Sequence, residues 1–60
     1  MKPEDLKKLR NNVGLSVAKA ALQVHVTPRT WNRYEAGDRQ IPEGVVELFC
    51  IKNGIVYPPK

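Results

Sequence analysis

Sixty residues make one domain at most, and a chain this short buries only about 60% of the surface its unfolded form exposes, so its stability margin is thin. Apolar residues are 42% of the chain and charged residues 27%, which excludes a disordered polar tract, and the apolar runs are too short for a membrane span. Ten Lys and Arg against six acids leave a net charge of +4, a balance that favours a polyanionic partner, of which DNA is the commonest.

The opening Met-Lys-Pro-Glu-Asp puts acids where a secretory signal would begin its apolar stretch. One cysteine makes no internal disulfide, and with the single histidine it builds no zinc site. The expected compartment is the reducing cytoplasm. No cofactor, metal, membrane or small-molecule substrate is expected.

Pro3 suits the first position of a helix, where its missing N–H is not needed, and Glu4 and Asp5 follow in the favourable first turn. Leu6, Leu9 and Val13 share one face, Lys7, Lys8 and Asn11 lie opposite, and Gly14 supplies the stop. Ser16 caps a second helix of about two turns, with Val17, Ala20, Ala21 and Val24 on one stripe. Small Ala20 and Ala21 on that stripe allow a neighbouring helix to approach closely. Thr27-Pro28 begins a third helix and Gly37 ends it. Only Val24-His25-Val26 separates the second helix from the third, so the two must turn sharply. Pro42 and Glu43 open a fourth helix running to about Asn53, with Gly54 as its stop. The expected fold is therefore all-α: four short helices over residues 1–54 and an extended tail over 55–60, with Ile55 to Tyr57 readable as a short strand.

At about 100° per residue the third helix has two faces. Thr27, Thr30, Trp31 and Tyr34 gather on one; Arg29, Asn32, Arg33 and Ala36 gather on the other. Arginine donates two parallel hydrogen bonds to guanine O6 and N7, and asparagine does the same for adenine, which is what a helix lying in the major groove needs. Any surface helix carries some polar face, so this pattern gains its weight from the surrounding frame.

That frame carries a family resemblance. Gly14-Leu15-Ser16, then Ala21, Val24 and Val26, then Trp31, Tyr34, Glu35 and Gly37 resemble the helix-turn-helix of phage repressor and Cro proteins and of the wider xenobiotic-response-element-like bacterial regulators. The resemblance covers about residues 5 to 53, with the helix-turn-helix at about 17 to 36. The run Thr-Trp-Asn-Arg-Tyr-Glu-Ala-Gly at residues 30–37 strengthens it, since these regulators often end the recognition helix on an aromatic-Glu-x-Gly sequence. The resemblance implies sequence-specific binding of double-stranded DNA, the second helix bracing the backbone and the third lying in the groove. It puts Thr27, Pro28, Arg29, Asn32 and Arg33 at DNA-facing positions, and Ala21, Trp31 and Tyr34 at structural ones. Glu35 matches an acid that pairs with an arginine of the first helix, here Arg10, and the pair reads as structural in preference to a DNA contact by Arg10. Three positions depart from the family pattern. His25 stands where a turn glycine is usual, and histidine enters the left-handed region more readily than most residues. Val17 replaces a phosphate-binding glutamine, so Ser16, Lys19 or a backbone N–H must serve instead. Pro28 removes one polar side chain from the reading face.

The fourth helix is apolar nearly all round. Val45, Leu48 and Phe49 form the expected inward stripe; Val46 and Cys50 fall on a second side and Ile51 on a third. Leu22 also lies off the main stripe of its own helix. Cys50 taken alone reads as a small core hydrophobe. The surplus calls for a cover, either the tail or a second subunit, which makes Val46, Cys50, Ile51, Ile55, Val56 and Tyr57 dimer candidates. The function expected is that of a DNA-binding transcriptional regulator acting as a homodimer on DNA. The alternative is an interaction module such as an antitoxin or assembly adaptor, for which the apolar fourth helix would matter more than Arg29 and Arg33. No catalytic constellation assembles from one histidine, one cysteine and no glycine-rich phosphate loop, so an enzyme is not expected.

Overall fold

The computed structural model describes residues 1–58 and contains four helices: α1 Pro3–Asn12, α2 Val17–Gln23, α3 Pro28–Ala36 and α4 Glu43–Lys52. Helix starts follow the local chemistry. Pro3 and Pro28 occupy the first helical position of α1 and α3, and Glu4 and Asp5 lie in the first turn of α1. Ser16 and Thr27 cap α2 and α3, their hydroxyls accepting the Lys19 and Thr30 backbone N–H groups at 3.2 Å each.

All four helices stop through one hydrogen-bond pattern. The left-handed residue after each helix donates three residues back and the residue after it donates five back: Leu15 to Arg10, Val26 to Ala21, Asp38 to Arg33 and Ile55 to Cys50 are the long members. The pattern requires a left-handed residue at its centre. Glycine supplies it after α1, α3 and α4, and His25 at φ 60 supplies it in the turn between α2 and α3.

Packing encloses one core. Seven residues of α2 are too few to stand alone, so burial holds that helix in place. Ala20 and Ala21, both fully buried, let α3 press against α2, and α3 also packs on α1 while α4 packs on α2. Trp31 sits at the centre with no exposed surface, its ring centroid 5.4 Å from that of Phe49 and the rings tilted by 46°. Leu6, Leu9, Val24 and Tyr34 complete the buried set from the first three helices. The Asn53 amide closes the far end by donating to Gln23 Oε1 at 2.7 Å and to the Phe49 carbonyl at 2.8 Å.

Two expectations are corrected. The core stripe of α4 is Val46, Phe49 and Cys50, with Val45 and Leu48 only half-buried beside it. Val46 at 4% and Cys50 at 0% exposure are therefore inside the single chain rather than on its surface. An almost uniformly apolar helix has no periodicity strong enough to set its own rotation. The second correction concerns the tail. Ile55 to Tyr57 forms no strand among the described residues, having no neighbouring strand to pair with, and the chain bends at Tyr57 and Pro58. Pro59 and Lys60, assigned to that tail, lie outside the described residues. Among the described residues no helix is long and apolar enough to cross a membrane.

Candidate nucleic-acid interface

The α2–α3 connection sets the site. With His25 left-handed, the chain reverses over three residues and α3 leaves α2 with Thr27 as its cap. Thr27 and Thr30 hydroxyls lie 3.0 Å apart in addition to the cap bond, which stiffens the first turn of the helix. Beyond that turn, Thr27, Pro28, Arg29, Asn32 and Arg33 are all exposed, and Thr30 is half-buried. Arg29, Asn32 and Arg33 stand at helical spacing on the side away from buried Trp31 and Tyr34. Among the described residues, none of their three side chains forms an internal hydrogen bond or ion pair. Two guanidinium groups and an amide are thus presented with their donors unspent. Ser16 and Lys19 are exposed at the start of α2, with the Ser16 hydroxyl committed as an acceptor to the cap.

Behind this face, one ionic cluster fixes α3 to the rest of the domain. Arg10 grips both carboxylate oxygens of Glu35 with one edge of its guanidinium, Nε to Oε2 at 2.7 Å and Nη2 to Oε1 at 3.2 Å. Its third nitrogen, Nη1, donates to the Leu15 carbonyl at 3.0 Å, so one side chain ties α1, the loop after it and α3 together. The Trp31 indole N–H also donates to Glu35 Oε2. Both charged side chains are largely withdrawn from water, at 13% and 11% exposure. Burial alone would raise the Glu35 pKa, but the bonds from Arg10 and Trp31 outweigh it and hold the carboxyl below its usual range. The bond to Glu35 raises that of Arg10 in return, against the opposing effect of burial. Arg10 is occupied by structure here. The Trp31 bond and the Gln23–Asn53 bond had no signal in the sequence, because hydrogen-bond partners do not follow from helical periodicity.

No other feature competes as a site. Among the described residues no group of three His, Cys, Asp or Glu stands together to hold a metal. An open cavity of about 720 Å³ is bordered by Asp5, Gln40, Ile41, Pro42, Glu43 and Tyr57 among others, and no residue of α2 or α3 lines it.

Comparison with known proteins agrees with this geometry. The family described as "Helix-turn-helix domain" matches residues 4–51, from the first turn of α1 almost to the end of α4. No curated protein matches the chain. The order of helices, the tight turn at His25 and a match over most of the length make this chain a member of the helix-turn-helix domain family, a membership that supports DNA binding.

Proposed function

We propose that this protein is a sequence-specific, double-stranded-DNA-binding transcriptional regulator of the phage or prophage repressor and Cro type, cytoplasmic, with α3 lying in the major groove. The observation that carries the reading is the unspent polar face of Arg29, Asn32 and Arg33 on a helix braced from behind by Trp31, Tyr34 and the Arg10–Glu35 pair. Arg29 and Arg33 read guanine edges and Asn32 an adenine edge. Thr27, Ser16, Lys19 and the N–H groups opening α2 hold phosphates and set the register. Three strong reading groups cover few base pairs, so two copies on a palindrome give useful discrimination where one copy does not. Ile51 and Val56, 64% and 81% exposed, remain as candidates for contact between the copies.

The reading as a protein-interaction module rests on a free apolar face of α4. Burial of Val46, Phe49 and Cys50 takes most of that face inside, which favours the DNA reading. Domains of this family are typically non-enzymatic. Selection of bound sequences from a random duplex pool tests the proposal: enrichment of a palindrome with guanines at mirrored positions is expected. Retention of all sequences alike, with binding that disappears uniformly in salt, would reject sequence-specific reading.

A further inference from the structure

The described tail folds back along α4. Its side chains alternate: Ile55 and Tyr57 are partly buried against the core, while Val56 between them is 81% exposed. The bend is at Gly54, φ 69, and the first anchor is the Ile55 N–H on the Cys50 carbonyl at 2.9 Å. The second anchor lies at the opposite end of the helix, where the Tyr57 hydroxyl donates to Glu43 Oε1 at 2.8 Å. Ten helical residues rise about 15 Å, and the three residues from Ile55 to Tyr57 span at most about 10 Å, the tyrosine side chain reaching the rest. The segment therefore runs the length of α4. The Tyr57 pKa is pushed up to about 12, first by the bond to Glu43, then by burial and by the nearness of Glu43, Glu47 and Cys50. Those three residues recur at helical spacing, so the hydroxyl lies over one side of α4. Val46 and Cys50, on or beside that stripe, are buried.

We propose that residues 55–58 form a releasable strap: docked, it closes the Val46–Cys50 side of α4, and swung out at Gly54 it bares that side as a conditional apolar surface. Beyond the Ile55 N–H at the hinge, the side-chain anchor of the strap among the described residues is the solvent-exposed Tyr57–Glu43 bond, whereas the core beneath is held by contacts that do not involve it, namely Trp31–Phe49, Arg10–Glu35 and Gln23–Asn53. Release thus requires far less than unfolding. The strap lies outside the 4–51 span matched by the family. This inference does not depend on the proposed DNA reading.

Cys50 is the one cysteine of the chain and is buried on the side of α4 that the strap closes, so its accessibility tests the strap. Its alkylation by iodoacetamide in the full-length protein, at one fixed pH and across a low-urea series, separates local from global opening. The wild type is expected to label at a rate nearly independent of urea, since swinging out a few residues exposes little surface. Tyr57→Phe and Glu43→Ala are each expected to speed labelling about fivefold, the equivalent of one exposed hydrogen bond, while Glu43→Gln, which keeps an acceptor, stays within about twofold of wild type. Labelling that follows global unfolding across the urea series would overturn the strap. So would a Tyr57→Phe effect no larger than the change this variant makes to global stability.

Discussion

His25 is the one residue among the four helix stops that adopts φ 60 with a side chain to accommodate. A left-handed conformation costs an L-residue about 1–2 kcal/mol, part of which glycine gives back through its greater freedom in the unfolded chain. His25→Gly should therefore stabilise the domain by about 1 kcal/mol and raise Tm by about 4–8 °C in a thermal melt. A lower Tm would show that the exposed imidazole contributes something the backbone geometry does not reveal. Glu35 makes the opposite kind of contribution. Its folded pKa is lowered, so its stabilisation is complete above the ordinary glutamate value of about 4.3 and is lost as pH falls toward and through the depressed folded value. Glu35→Gln leaves the Arg10 guanidinium without its counter-charge at 13% exposure, which should cost about 2–3 kcal/mol at pH 7. Urea melts from pH 7 to pH 3 should then give a steeper acid loss for wild type than for the variant. Parallel profiles would mean that Glu35 is not held below its ordinary value.

Among the elements, α3 is the one whose two faces separate stability from binding. Arg29, Asn32 and Arg33 are exposed and have no internal partners, so replacing all three by alanine should leave the melt nearly unchanged. Each single replacement should cost about 1–3 kcal/mol against the best operator and blunt the preference at one base pair. A folded triple variant that kept full sequence preference would move the reading surface elsewhere. The layout of α3 was open to reading from sequence because its faces differ in chemistry, and because Thr27 and Ser16 act on N–H groups only three residues away. The α4 rotation was not, since Val45 to Ile51 offers an apolar residue on nearly every side; the tail, which lies over one of those sides, helps to decide which is inside. Long-range polar pairs were hidden for another reason. Arg10 and Glu35 are 25 positions apart and came into view only through the family resemblance, while Gln23 and Asn53, 30 apart, left no trace in local pattern. The fold-back of Tyr57 onto Glu43 is of the same kind.

For the whole molecule the open matter is how two copies would meet. Burial of Val46 and Cys50 leaves Leu22, Ile51 and Val56 as large exposed apolar residues, one each on α2, α4 and the tail. The chain's accessible surface is 4086 Å², and a standard interface takes about 800 Å² from each partner, roughly a fifth of it. Three scattered side chains do not supply that area, so a dimer formed in free solution should be weak and completed only on DNA, where both copies are already held on one duplex face. Two recognition helices would then sit about 34 Å apart, one turn of the double helix. In a two-fold arrangement every substitution occurs twice near the axis, so the double change Ile51→Glu and Val56→Glu sets like charges against each other. Binding to an isolated half-site should be nearly unaffected, because neither residue belongs to the reading face. Binding to the full palindrome should weaken at least about tenfold, the equivalent of about 1.4 kcal/mol in lost coupling between the copies. Sedimentation of the complex supplies the stoichiometry that mobility shifts alone leave open. Equal losses on half-site and palindrome, or one chain per palindrome at saturation, would sink the dimer, and the exposed Ile51 and Val56 would then be ordinary surface residues of a monomeric DNA-binding domain.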